Sequence, residues 1–277
     1  MAQGNAIIKP TVWAAKILTD LPKFTVLEKD CTSEFAGEIK RGGRVKILGA
    51  GRPTIKDYDG TPIDAPENVE TSAIYMDIDH QKYVNYGMDD VDKVQSVKNY
   101  LQTIRTQMTE AFAEQYDSDI AKEAVNSGNS VSTTSISSAD DLAAAIDTGI
   151  IWLRNNGVKT TERTVLELSP YYYDMFTNKI IDLKTQNDAL IKNGDLGYYK
   201  GVYVKMSNNL YKKSVSGTNC VHLMLRTTRA IAAGKQIEKV EQFRPEDLFY
   251  DAVKALLVYG IKVVRPKELY TIRVADH

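Results

Sequence analysis

Cysteine is scarce in this chain: 277 residues include two, Cys31 and Cys220, far apart in sequence. That count is too low for a disulfide framework or a cysteine-rich metal site, so free thiols in a reducing compartment are expected. Histidine is nearly as rare. His80, His222 and the terminal His277 fall in no metal-ligating spacing, and neither metal nor cofactor is expected. Long apolar runs are missing too. The longest, such as residues 255–259, fall far short of the ~20 needed to cross a bilayer, so no membrane partner is expected. Residues 1–10 show no apolar core with a small-residue cleavage site, which argues against a secretory signal. Nor is there an excess of one charge. The balance of 35 basic and 36 acidic side chains, net −1, is unlike the basic surplus of a dedicated nucleic-acid binder. A surface that simply lies near nucleic acid stays open.

What is present suffices for a sizeable core, in one large domain or two medium ones: 43% of residues are hydrophobic and 26% charged. Sixteen tyrosines suit subunit interfaces and half-wet sheets equally. The opening arm, to about Pro22, has too few apolar turns (Val12, Trp13, Ile17, Leu18) to hold a helix by itself. Trp13 reads either as an anchor on a neighbouring subunit or as a local staple.

Residues 35–72 are rich in glycine and proline, with strand-like alternation at 44–47 and 54–56. The simplest structure is a long, poorly buried β-hairpin. Its charges are segregated: Lys40, Arg41, Arg44, Lys46, Arg52 and Lys56 come first, then Asp57, Asp59, Asp64, Glu67, Glu70, Asp77 and Asp79. Two readings stand side by side. The arms neutralise each other, or they reach an oppositely charged neighbour and fix register between subunits.

Residues 74–79 read as a strand with Ile74, Met76 and Ile78 on one face. A helix is then expected over 89–126, capped by Asp89 or Asp90. Its stripe is Val94, Val97, Leu101, Ile104, Met108, Phe112, Tyr116 and Ile120, along roughly 55 Å at about 1.5 Å per residue. One apolar face of that length needs a broad sheet or a partner helix behind it. The polar stretch 126–138 marks a domain boundary. Beyond it, Ser138 and Asp141 suggest a capping box, with Leu142, Ile146, Ile150 and Leu153 as the buried face and 155–157 as the stop. Strands are expected at 164–168, 201–206 and 221–226, with a short helix from Pro170 through Phe176 and a polar stretch over 178–197. Strands at 256–259, 261–264 and 269–274 form a natural backing for the long helix, while 249–257 fits helix or strand. The middle of the chain then reads as an insertion between two halves of one domain.

Catalytic patterns are weak. Residues 49–54 begin like a dinucleotide fingerprint, but the third glycine and the following helix are missing. Gly234-Lys235 has neither the Ser/Thr nor the first glycine of a phosphate loop. Asp77 and Asp79 share a strand face suited to a cation or to acid/base work, and equally to a solvated or salt-bridged one. Ser169-Pro170 lacks the flanking glycines of a nucleophile elbow. The basic cluster over 40–56 has no interleaved aromatics for stacking single strands, and nearby acids oppose duplex binding. The Tyr171-Tyr172-Tyr173 run suggests packing of a short helix more than a stacking platform.

Two stretches carry a family resemblance. Ile74-Tyr75-Met76-Asp77-Ile78-Asp79, Lys82-Tyr83, Met88-Asp89-Asp90-Val91-Asp92 and Gln95 resemble the strand entering the spine helix of tailed-phage major capsid proteins of the Hong Kong 97 type. Phe249-Tyr250-Asp251-Ala252-Val253, Leu256, Tyr259-Gly260, Lys262-Val263 and Arg265-Pro266 resemble that family's closing strands. The order of elements matches over nearly the whole chain. The resemblance implies an α+β, Hong Kong 97-like capsid fold: N-terminal arm (1–34), extended β-hairpin loop (35–73), peripheral domain strand and spine helix (74–128), inserted α/β axial domain (129–234) and peripheral closing strands (235–277). It implies a non-enzymatic shell subunit that forms pentamers and hexamers with itself, assembles around scaffolding protein and portal in the host cytoplasm, and ends in the virion beside packaged double-stranded DNA. The arm is too short for a built-in scaffold. Intersubunit contact candidates are Trp13, Lys40, Arg41, Arg44, Lys46, Arg52, Lys56, Asp57 and Asp59; Lys40, Lys46 and Lys56 are also the hairpin candidates for a covalent cross-link, though ion pairing suits them better. Alternatives are an encapsulin-like nanocompartment shell, or a soluble hydrolase or binding protein with a pocket near Ser169 or 178–197.

Overall fold

The computed structural model describes residues 16, 17, 20, 21, 24–34, 43–50, 55, 57, 71–89, 100–126, 129–132, 136–182, 196–215, 217–244 and 250–277. Segment 24–34 holds a 3₁₀ turn, Glu28–Asp30. Strands β1 (Arg44–Ala50) and β2 (Thr71–Asp77) form an antiparallel pair, in register from Arg44↔Asp77 to Ala50↔Thr71. Alternation decides which face is covered. Val45, Ile47 and Met76 are buried, while Arg44, Lys46, Tyr75 and Asp77 are exposed. The expectation of a poorly buried hairpin fails at this base, where Val45, Ile47, Met76 and Ala232 form a small core flanked by Ile74, Ile78 and Val264. The strand expected over 74–79 is the hairpin's returning arm, because its apolar face is completed by β1. Among the described residues, β1 and β2 pair only with each other.

β3 (His80–Asp89) leads toward helix α1 (Tyr100–Val125). Asp89 does not cap the helix: its backbone is the last rung of β3, opposite Tyr250. Asp90, Val94 and Val97 lie outside the described residues. The expected stripe holds from Ile104 onward, with Met108, Phe112, Tyr116 and Ile120 also buried.

The polar segment after α1 contains a short strand, β4 (Ser130–Ser132). Helix α2 (Ala139–Asn155) starts with the expected capping box. Ser138 Oγ accepts from the Asp141 N–H at 3.2 Å, and the Asp141 carboxylate accepts from the Ser138 N–H at 3.1 Å. Gly157, at φ 89°, lets the chain turn away after the helix. β5 (Thr164–Leu168) is buried along its length. α3 (Pro170–Asp182) runs past Phe176, since Ile180 still packs on the core.

β6 (Tyr198–Tyr199), β7 (Val202–Met206), β8 (Lys212–Val215), β9 (Thr218–Thr227), β10 (Ile231–Phe243), β11 (Tyr250–Val263) and β12 (Leu269–Ala275) complete the fold. The ambiguous stretch 249–257 is strand from Tyr250, held between β10 and β3 in a three-stranded antiparallel sheet. Val253, Ala255, Leu257 and Tyr259 are its buried alternates, and the sheet backs α1 through a Tyr116–Tyr259 edge contact at 4.9 Å. The larger sheet runs β4-β12-β9-β5-β7-β6, with β8 on β9. Against the expectation that every strand after 234 backs the spine helix, β12 lies in this larger sheet between β4 and β9. Its consecutive Leu269, Tyr270, Thr271 and Ile272 are all buried, as an interior strand covered on both faces requires.

Candidate assembly surface

Arg44 projects from the exposed face of β1 and meets Asp77 across the hairpin, Nε to Oδ1 at 2.5 Å. Its guanidinium also lies 5.3 Å from the Tyr75 ring centre. The hydrogen bond from Arg44 holds the Asp77 carboxyl below its usual range, and Asp77 raises Arg44 in return. This pair is the mutual neutralisation expected of the two arms. Lys46 is exposed one alternation further along, and Asp57 is exposed in the connecting segment beside Ile55, which is 94% exposed. Trp13, Lys40, Arg41, Arg52, Lys56 and Asp59 lie outside the described residues.

Behind segment 24–34, a charged joint is buried that the sequence reading missed. Arg226 on β9 and Glu167 on β5 are fully buried and bidentate: Nη2–Oε1 is 2.7 Å and Nε–Oε2 is 3.0 Å. Arg226 also donates to the carbonyls of Leu27, at 2.8 Å, and Asp30. Burial opposes its charge, and Glu167 with Asp30 more than restores it. The Asp30 carboxylate receives Arg163 at 3.0 Å and Lys205 of β7. From α1, Asp117 accepts the backbone N–H groups of Val26 (2.7 Å), Leu27 (3.3 Å) and Glu28 (3.3 Å). Burial pushes its carboxyl up to about 6, with those backbone bonds pulling the other way. Glu28 pairs with Lys235 of β10 at 2.5 Å. Segment 24–34 is thus fastened to the spine helix and to both sheets. Cys31, 3.5 Å from Arg226, is pushed up to about 11 by burial, which makes it an inert thiol at neutral pH. A signal existed in the sequence: Glu167 and Arg226 each follow a run of apolar residues within a strand (Val165-Leu166 and Leu223-Met224-Leu225), and such charges survive burial only in pairs.

Elsewhere, a cleft of about 390 Å³ opens on the outer face of the three-stranded sheet, lined by Tyr83, Asn85, Glu241, Lys254, Ala255 and Leu256. Among the described residues, no group of three or more His, Cys, Asp or Glu is placed to hold a metal ion, and no helix is long and apolar enough to cross a membrane.

No protein-family model and no curated protein sequence matches the chain. Solved structures do. A structure from Mycobacterium phage Che8 is 26% identical, with a TM-score of 0.74 over 90% of both chains. The capsid of the cyanophage P-SCSP1u is 15% identical, with a TM-score of 0.69 over 100% of this chain and 93% of that one. A virus-like particle from Pyrococcus furiosus aligns at 12% identity and a TM-score of 0.61, over 96% of this chain and 100% of that one. The fold is that of tailed-phage major capsid proteins, the Hong Kong 97-like fold.

Proposed function

We propose that this chain builds the icosahedral head of a tailed phage by repeating one subunit as pentamers and hexamers around packaged double-stranded DNA. The observation that carries this reading is the likeness to the Che8 structure, which spans nine-tenths of both chains at 26% identity. In this reading the larger sheet with α2 and α3 is the axial domain, and α1 with the β3-β11-β10 sheet is the peripheral domain. The β1–β2 hairpin is the extended loop that lies over an adjacent copy. No single contact needs to be strong, because many modest interfaces accumulate over a closed shell. Trp13, Lys40, Arg41, Arg44, Lys46, Arg52, Lys56, Asp57 and Asp59 are the proposed intersubunit contacts, with opposite charges fixing register. Scaffolding protein and portal are the proposed assembly partners in the host cytoplasm.

The test is expression of the full chain with and without its scaffold, followed by sedimentation and negative-stain microscopy. Rings or closed shells are expected, with nuclease-protected DNA inside particles taken from infected cells. A monodisperse small species that persists with scaffold present overturns the reading. Particles filled with a cargo enzyme in place of DNA transfer it to the nanocompartment class.

A further inference from the structure

Among the described residues, the two most exposed large apolar side chains are Ile55, at 94%, and Tyr83 of β3, at 77%. Their settings differ. Ile55 lies in the segment between β1 and β2 and is covered by almost nothing of its own chain. Tyr83 is one wall of the cleft on the three-stranded sheet.

Two rungs of that sheet build the cleft. Tyr83 lies opposite Leu256, and Asn85 opposite Lys254, which is itself opposite Glu241. Leu256 and the Tyr83 ring supply its apolar surface. The charges on its rim already answer each other, Lys254 to Glu241 at 2.7 Å. The cleft therefore offers an occupant apolar area, with one charge of each sign beside it.

The same face already carries part of a hairpin. Gly260 is four residues beyond Leu256 on β11, so alternation puts both on one side, and the Asp77 backbone lies against Gly260 there. The hairpin base covers one end of the face and leaves the end with the cleft open. A second hairpin laid on the open end extends a surface that the first already uses. The sequence at Ile55 suits that landing, because Lys56 and Asp57 follow it, one of each sign, as Lys254 and Glu241 stand on the rim.

We propose that Ile55 of one copy seats in the Tyr83–Leu256 cleft of an adjacent copy, with Lys56 and Asp57 meeting Glu241 and Lys254 on its rim. This rests on the assembly reading and names the place where the hairpin lands. An apolar anchor in a pocket is a small gain for one pair of copies, and a shell repeats it at every subunit.

The experiment mixes two variants of the full chain, Ile55→Cys and Tyr83→Cys, assembles them together with scaffold, and treats the shells with a short bis-maleimide. Background is low because Cys220 is buried and burial leaves the Cys31 thiol inert. A covalent dimer is expected in the mixed shells, well above that from either variant assembled alone. In parallel, Ile55→Asp lowers shell yield by about tenfold or more while Ile55→Val keeps it, since the contact repeats across the shell. The unfolding midpoint of the Ile55→Asp subunit stays native, because the side chain has almost no contacts of its own to lose. The contact is overturned if shells form without the mixed cross-link, or if Ile55→Asp leaves their yield unchanged. Failure of the unaltered chain to form shells with scaffold is a different result: it removes the assembly reading itself, and this contact with it.

Discussion

The backbone carbonyl of Asp77 passes so close to Gly260 that a Cβ there would lie 2.7 Å from the oxygen, with Ile78 Cγ1 at 3.3 Å. Gly260 lies in the last third of β11, so the end of the hairpin rests on the strand at the centre of the three-stranded sheet. Together with the Val45–Ile47–Met76–Ala232 cluster, this contact anchors the hairpin's base to the body. Gly260→Ala sets a methyl against backbone, which yields less readily than a side chain. A loss of about 1–3 kcal/mol is expected, read from denaturant unfolding, with faster proteolytic cutting at the hairpin base. An unchanged midpoint would show that β2 can lift off the sheet at no cost.

The Arg226–Glu167 pair predicts an asymmetry between breaking and replacing. Glu167→Gln leaves a buried guanidinium without its counter-charge and is expected to cost about 3–5 kcal/mol. Glu167→Leu with Arg226→Met removes both charges and recovers much of that loss. It does not recover the seat of segment 24–34, because the carbonyls of Leu27 and Asp30 have lost their donor. Hydrogen exchange in residues 24–34 should therefore stay fast in the double variant while global stability returns. Slow exchange there would assign the seat to Asp117 and to the ion pairs of Glu28 and Asp30.

Asp117 predicts how stability varies with pH. Its carboxyl rises from an ordinary value of 3.8 to about 6 in the folded chain, so the folded state holds the proton more tightly than the unfolded state. The contribution is fully present below pH 3.8 and is lost as pH climbs through about 6. Relative to Asp117→Asn, the native protein should lose roughly 2–3 kcal/mol between those limits and run parallel above them. Unfolding midpoints of the two proteins across that range give the difference directly. A native protein that instead loses stability relative to Asp117→Asn as pH falls would mean that the three backbone N–H bonds outweigh burial.

Much of this architecture was legible because each surface element repeats one period. The α1 stripe from Ile104 to Ile120, the Ser138–Asp141 box of α2 and the mostly apolar β5 announce themselves locally. What stayed hidden depends on pairings across long separations. Asp89 looks like a helix cap until its backbone is seen bonded opposite Tyr250, and β12 looks like its neighbours until both of its faces prove covered. The joint around Arg226 draws on residues 26 to 235, and no local pattern states that Asp30, Asp117 and Glu167 meet. The hairpin's charge segregation was visible at once, but only the structure shows that Arg44 is already answered by Asp77.

That answered charge sharpens the test of assembly. Reversing Arg44, Lys46 and Arg52 together should leave the subunit folded, because Arg44 and Lys46 are exposed, while the yield of shells falls sharply in sedimentation and electron microscopy. The reversal alone confounds two causes, since Arg44→Asp also places two carboxylates face to face within the hairpin. Exchanging the pair, Arg44→Asp with Asp77→Arg, separates them: the intramolecular bond is rebuilt with its polarity inverted. If the arms only neutralise each other, shells return to native yield. If a neighbouring copy reads the sign of the charge at position 44, the exchanged protein has a native unfolding midpoint and still assembles poorly, which is the outcome expected from a hairpin whose first half is basic and whose second half is acidic.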